Sequence, residues 1–273
     1  MAIYHLTTKN IGRSSGRSAT ASAAYRSAEK IKDDQQGLTF NYKSRVQSVS
    51  HTEILAPVNA PEWATDRSRL WNEVERSEKR KDSRVAREVE VALPKELSRE
   101  ESIELARNFA CDSFVKRGMV ADVCIHDLGK KNPHAHIMLT TRSIDEKGFG
   151  QKSREWNKSE LLDEWRKEWE QQANQALKKA KVNERIDHRT LDAQGIDRLP
   201  QKHKGVDATG YENRTGKPSK NSVKDFMRDT ARASMERIRT RLEFERLERL
   251  EIEKAKEQKK RDMNKDRGMT MEM

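Results

Sequence analysis

Residues 120–141, VADVCIHDLGKKNPHAHIMLTT, decide how the chain reads. Two runs rich in apolar residues flank DLGKKNP, a polar segment whose Gly and Pro mark a turn, so the expectation is a pair of antiparallel strands. Side chains alternate along a strand. Val123 and Ile125 then point one way, and Asp122, Cys124 and His126 the other. On the second strand Ala135, Ile137 and Leu139 take one face, and His134, His136, Met138 and Thr140 the opposite one. Antiparallel register sets His126 across from His134 and His136, so three of the seven histidines converge on one sheet face. A single strand histidine usually just hydrogen-bonds, and an isolated HxH pair says little. Three imidazoles crowded together are harder to explain without a cation, because their polar burial goes uncompensated. The set fits a divalent metal with coordination positions left open.

Composition limits what surrounds that hairpin. The 273 residues suffice for one large domain or two modest ones, yet only 33% are hydrophobic and 37% are charged. A packed core therefore cannot run the whole length, and part of the chain must be extended or solvated. A net charge of +11 points to a polyanionic partner, nucleic acid or an acidic membrane surface. No apolar run approaches a spanning length, and MAIYHLTTKN lacks the pattern of a signal peptide. The expectation is nucleic acid in a cytoplasm, with no membrane insertion. Cys111 and Cys124 have no metal-binding spacing and read as buried thiols of a reducing compartment.

Working outward, residues 2–8 alternate as a strand, and NIGRSSGRS reads as a flexible basic loop that offers Arg13 and Arg17 to phosphates. Ser18 is a candidate cap for the helix ATASAAYRSAEKIK, whose inward positions, Ala21, Ala24, Ala28 and Ile31, are mostly small. Tyr25 is its one aromatic residue, and on residue chemistry alone it simply packs. Residues 38–55 look like a hairpin with arms LTFNY and HTEIL. Asp66 caps a helix to about residue 80, with Leu70, Trp71 and Val74 inward. VAREVEVALP is a strand that places Glu88 and Glu90 on one side, the polar side that also carries the histidines. SREE matches a capping box and opens a helix to about residue 116 that buries Ile103, Ala106, Phe109, Ala110 and Phe114.

Residues 142–157 read as a loop in which Phe149 stands among Lys152, Arg154 and other cations, a mixture suited to single-stranded nucleic acid. Residues 159–180 form a helix whose Trp165 and Trp169 read as core rather than as a stacking platform. His188 and His203 follow in an irregular stretch, and their spacing argues against their joining the metal site. Residues 219–266 form a highly charged helix on the order of 60 Å long, from the rise per residue, too long to pack wholly on a small domain. The expected organisation is a domain at 1–205, a linker at 206–218 and an extended helical tail at 219–273. The expected fold class is α+β, an antiparallel sheet with helices on one face and the other face open for a ligand.

At this point the chain resembles the MobA/MobL (MobQ-class) plasmid relaxases of the HUH endonuclease superfamily. The resemblance spans roughly residues 1–205 and rests on ordered motifs: MAIYHLTTK, SATASAAYR, VAREVEVALP, NPHAHIMLTTR, EWRKEWEQQANQAL with RIDHRTLDAQGI, and LPQKHKG. It implies that Tyr25 is the nucleophile, that His126, His134 and His136 bind the metal, and that Glu88 is the acidic residue, with Glu90 on the same face as the less certain match. It implies a divalent cofactor, Mg or Mn, and a metal-dependent transesterase that nicks single-stranded DNA at an origin of transfer. The product is a 5′-phosphotyrosyl link that the same site can reseal. Glu88 serves either as base or as the orienter of a histidine. Accessory mobilisation proteins, a conjugative secretion apparatus and a bacterial cytoplasm complete the implied setting. The short C-terminal part leaves no room for a primase or helicase, so the expectation is a protein limited to DNA processing. Two alternatives remain: a rolling-circle replication initiator with the same site, and a non-catalytic DNA-binding protein that uses the metal only to hold its fold.

Overall fold

A computed structural model describes residues 3–196 and 206–269, so the motif LPQKHKG, with His203, lies outside the described residues. The chain divides into two compact units, residues 1–189 and 190–273.

The first unit is built on a five-stranded antiparallel sheet. Its strands are β1 (Leu6–Gly12), β4 (Val49–Leu55), β5 (Arg84–Ala92), β6 (Ala121–His126) and β7 (His134–Leu139), in the order β1-β5-β7-β6-β4. The hairpin expected from residues 120–141 forms as β6 and β7, with His126 opposite His134 and Cys124 opposite His136. Alternation then sorts the side chains. Val89, Val91, Val123, Ile125, Ala135 and Ile137 face a core capped by α3 (Arg99–Ser113) and α4 (Ser159–Lys179), where Phe109, Trp165 and Trp169 of the helices pack with Phe114, the residue that ends α3. Phe109 meets Phe114 and Trp169 edge-on, at 5.3 and 5.0 Å between ring centroids. Both tryptophans are therefore core, as their spacing implies. The capping box at Ser98 and Glu101 is present and fixes where α3 begins.

The α+β class stands, but the helices are not confined to one face. α1 (Ala19–Ser27) and α2 (Arg67–Ser77) cover part of the opposite face, where Ala23, Ala24, Leu70, Trp71 and Val74 pack with Ala86, Val120 and Met138. The cause is visible at Asp122, a buried carboxylate on that face. It accepts from the Arg67 guanidinium at 2.9 Å and from the Trp71 indole N–H at 2.9 Å, so α2 is anchored to the sheet by a charge that needs a partner. What remains open is the end of the face that carries the histidines.

Three further expectations change. α1 stops at Ser27 because Ala28 adopts a left-handed conformation, φ 55°, and closes the helix with its N–H on the Ala24 carbonyl. Ile31 is thereby freed to enter β2 (Lys30–Lys32), which pairs with β3 (Thr39–Asn41). The arms expected to form one hairpin over residues 38–55 consequently separate. The 3₁₀ turn Lys43–Ser48 carries the chain away from β3, and β4 satisfies its backbone on β6 instead, with Thr52 opposite Cys124. The segment 142–157 is not a plain loop. It holds the hairpin β8 (Arg142–Asp145) and β9 (Gly148–Lys152), made possible by Gly148 at φ 102°.

In the second unit, α5 (Val206–Thr215) occupies most of the expected linker, and α6 (Lys220–Met269) is the long charged helix. Ser219 and Ser222 at the start of α6 are held by the Glu212 carboxylate. Val223, Met235, Ile238 and Leu242 on α6 are exposed.

Arg67→Met should leave Asp122 buried without its main partner. The expected loss is about 3–5 kcal/mol in denaturant unfolding, as for other broken buried pairs. A loss below about 1 kcal/mol, the size of an exposed pair, would show that the anchor is not this interaction.

Candidate metal centre and nucleophile

β6 ends on His126 while β7 begins with His134, so the sheet register brings His126, His134 and His136 together on one face. Their rings form a nearly equilateral triangle, with centroids 5.3, 5.0 and 5.0 Å apart. One ring nitrogen from each lies within 4.8 Å of the others.

Each imidazole is also held from behind. A ring nitrogen of each lies 2.7 Å from an oxygen: His126 Nε2 from the Arg26 carbonyl, His134 Nδ1 from the Asn132 carbonyl, and His136 Nδ1 from Glu88 Oε1. Carbonyls and an ionised carboxylate only accept, so those three nitrogens carry protons. Three clustered imidazoles, each backed by an acceptor, form a set that could hold a metal ion. Burial, reinforced by the neighbouring imidazoles, pushes His126 down to about 4, and burial likewise lowers His134. Both are neutral at pH 7, as metal ligation requires.

Glu88 is 1% exposed and holds this arrangement together. Arg26 grips it with two parallel bonds, Nε to Oε1 at 2.5 Å and Nη2 to Oε2 at 2.6 Å, while His136 takes Oε1 as well. Burial alone would raise its pKa. The hydrogen bonds from His136 and Arg26, and the Arg26 charge, outweigh it and hold the carboxyl well below the usual range. Glu90, opposite His136 across the β5–β7 ladder, is paired instead with Lys9 at 2.6 Å. A second acidic set, Glu88, Glu90 and His136, is close enough to hold an ion. The commitment of Glu88 to Arg26 makes the three histidines the better donor set.

Tyr25 precedes Arg26 on α1 and is 40% exposed. Its ring is fixed on two sides: Tyr42 meets it edge-on at 5.3 Å, and the Arg45 guanidinium lies 4.0 Å from its centroid. The helix that carries Tyr25 is tied to the metal face at the next residue, through both the carbonyl and the side chain of Arg26.

The other residues singled out in the sequence fall elsewhere. Arg13 is an internal strut rather than a free cation: it pairs with Glu75 at 2.7 Å and donates to the Glu78 carbonyl at 2.6 Å, while Glu75 also caps α1 through the Ala19 N–H. Arg17 is exposed. Phe149 packs edge-on against Trp63 at 5.6 Å and is half-buried. Lys152 pairs with Glu78 at 3.0 Å, and Arg154 is exposed. His188 binds Glu170 on α4, apart from the three histidines. Sequence reasoning missed Arg26, Tyr42 and Arg45. The one available signal was that Arg26 ends the motif SATASAAYR.

The fold and the side chains together define an α+β protein with a three-histidine centre beside a tyrosine carried on a helix. The chain belongs to the MobA/MobL family, whose model matches residues 17–214. It is 35% identical over 272 residues to the mobilization protein MobL of Acidithiobacillus ferridurans, covering 87% of this chain and 70% of that protein. It is 34% identical over 245 residues to the conjugal transfer protein TraA of Rhizobium radiobacter, covering 78% of this chain but only 22% of TraA. A solved structure described as the molecular basis of vancomycin resistance transfer in Staphylococcus aureus shares 38% identity and a TM-score of 0.66, covering 69% of this chain and 100% of that one.

Two outcomes follow. Glu88→Gln removes the charge that orients His136 and balances Arg26, so Mn²⁺ affinity measured by calorimetry should fall about 10- to 100-fold. Unchanged affinity would remove Glu88 from the account. The second concerns acid. His126 has a folded pKa of about 4 against 6.5 for the free side chain. The unfolded chain therefore binds more protons between those values, and the stability of metal-free protein should drop as pH falls from 6.5 to 4. His126→Gln should flatten that part of the melting profile, and an identical profile in the variant would contradict the assignment.

Proposed function

We propose that the chain is a plasmid mobilisation relaxase, a transesterase that nicks one DNA strand at an origin of transfer and later reseals it. The observation that carries the reading is the tie between Tyr25 and the three-histidine centre through Arg26. Family membership and relatives named for mobilisation and conjugal transfer support it.

His126, His134 and His136 would hold a divalent cation, which supplies charge withdrawal from the non-bridging oxygens of the scissile phosphate. Of Mg and Mn, three nitrogen donors suit Mn better, since Mg favours oxygen ligands. Tyr25 is the nucleophile. Its phenolic oxygen bonds to phosphorus and the bond from phosphorus to the 3′ oxygen breaks, giving a 5′-phosphotyrosyl link and a free 3′-hydroxyl. The phenolic proton leaves to solvent, to which Tyr25 is open, and the departing 3′ oxygen takes a proton up. No net phosphodiester energy is lost, so a 3′-hydroxyl can attack the link and restore the strand.

Glu88 acts as a positioning residue and not as the base. Arg26 and His136 already occupy both its oxygens, and its depressed pKa makes it a poor proton acceptor. Tyr42 and Arg45 set the plane of the Tyr25 ring. Arg17 and Arg154 are exposed cations available to DNA phosphates. Accessory mobilisation proteins, a conjugative secretion apparatus and a bacterial cytoplasm belong to the same reading. Among the described residues no helix is long and apolar enough to cross a membrane.

Incubated with Mn²⁺ and a single-stranded oligonucleotide spanning the origin of its plasmid, the protein should form an adduct that survives SDS. Tyr25→Phe should abolish it, and Mg²⁺ should support it less well than Mn²⁺. An adduct undiminished in the variant, or in chelator, overturns the assignment.

A further inference from the structure

Arg87 neighbours Glu88 in β5 but projects to the opposite face of the sheet, into a small cavity that the proposed chemistry does not use. The cavity is about 40 Å³ and is lined by Arg84, Arg87, Thr141, Lys152, Arg154 and Asn157 among others. Arg87 is only 8% exposed, and its guanidinium lies 5.8 Å from the ring centroids of both Trp156 and Trp165. A cation this buried normally has a carboxylate partner. Among the described residues, Arg87 has none within ion-pair distance. Its Nη2 donates to the Asn157 side-chain oxygen at 3.0 Å, and Arg84 donates to that same oxygen at 2.9 Å. Two like charges are thus gathered on one neutral acceptor.

The remaining charges do not supply the missing balance. Lys152 pairs with Glu78, which Arg142 also engages, and its ammonium donates to the Arg84 carbonyl at 2.6 Å. Glu155 acts on Arg87 only at longer range. Burial, and then the charge of Arg84, lower the Arg87 pKa against that carboxylate. The wall of Trp156 and Trp165 also keeps water from one side of the guanidinium, which strengthens any charge it meets. The donors left over, from three guanidiniums and the Thr141 hydroxyl, match the acceptor oxygens of a phosphate. The cavity is too small for a nucleobase.

We propose that this pocket binds one backbone phosphate of DNA, on the face of the sheet opposite the three-histidine centre. Asn10 of the edge strand β1 lies opposite Arg87 and also lines the cavity. A strand leaving the histidine face therefore has only that edge to cross before it reaches the pocket. The proposal rests on the reading of the protein as a DNA-processing enzyme. It adds Arg84 and Arg87, the latter visible in the sequence as the cation that interrupts the apolar face of VAREVEVALP, and gives Arg154 a partner set.

The test measures binding without cleavage. A labelled single-stranded oligonucleotide from the plasmid's origin is titrated in chelator across a range of salt concentrations, so the result is independent of adduct formation. Loss of the adduct alone counts against the nucleophile, not the pocket. Arg87→Gln should weaken binding roughly tenfold, as for one lost charge-assisted contact, and should reduce the slope of log affinity against log salt by about 0.7, one phosphate's share for a single strand. If Arg87→Gln lowers the thermal midpoint of the free protein, the rim variants Arg84→Gln and Arg154→Gln decide, with the same expectation. An unchanged slope in all three overturns the proposal. A second arm compares melting in phosphate and in chloride at equal ionic strength. Phosphate stabilising the native protein but not Arg87→Gln, with DNA slopes unchanged, would assign the pocket to a free anion and overturn its role in DNA binding.

Discussion

The buried carboxylate of Glu88 is the constraint on which the arrangement depends. A charge with 1% exposure persists only if it is fully partnered, and its two partners come from different layers. Arg26 belongs to the helix that carries Tyr25, and His136 to the strand that carries two of the three histidines. Satisfying one carboxylate therefore docks α1 on the sheet, orients His136 and sets the distance between the tyrosine and the metal face. The Arg26 carbonyl, by accepting from His126, does the same for the remaining imidazole.

A second buried carboxylate performs the equivalent service for α2. Asp122 draws Arg67 and Trp71 onto the same face, so two helices are held over that face by charges rather than by apolar area alone. The opposite face is organised differently. There the sheet meets α3 and α4 through Phe109, Phe114, Trp165 and Trp169, and the packing is aromatic and apolar. The division follows from strand alternation: the same β5 that sends Val89 and Val91 into the aromatic core sends Glu88 and Glu90 to the metal face. Arg87 breaks the rule, a cation on the apolar side, one strand in from the β1 edge and beside the cavity that leaves room for an anion.

Much of this was legible in the residues. The alternation of residues 120–141 determined the histidine face and its register because a one-residue slip would have buried the histidines and exposed Ile125 and Ile137. The caps at Asp66 and Ser98 and the tryptophan stripe of α4 were equally local signals. What the sequence did not disclose depends on partners far along the chain. Arg13 looks like a free loop cation until Glu75 and Glu78 are brought to it, and Phe149 looks available until Trp63 packs on it. The split of residues 38–55 between two sheets turned on Ala28 taking a left-handed conformation, a role in which glycine is the usual signal. Arg26 was hidden for the same reason: an arginine on a short helix resembles any solvated cation until its carboxylate is found 62 residues away.

The central claim is that Tyr25, rather than its ring neighbour Tyr42, is the atom donor on which the metal face and Arg26 converge. The most direct measurement is to digest the covalent complex formed with an origin oligonucleotide and to locate the nucleotide-bearing peptide by mass spectrometry. The account predicts the modification on Tyr25 alone. A nucleotide on Tyr42, or on a histidine of the centre, would contradict it.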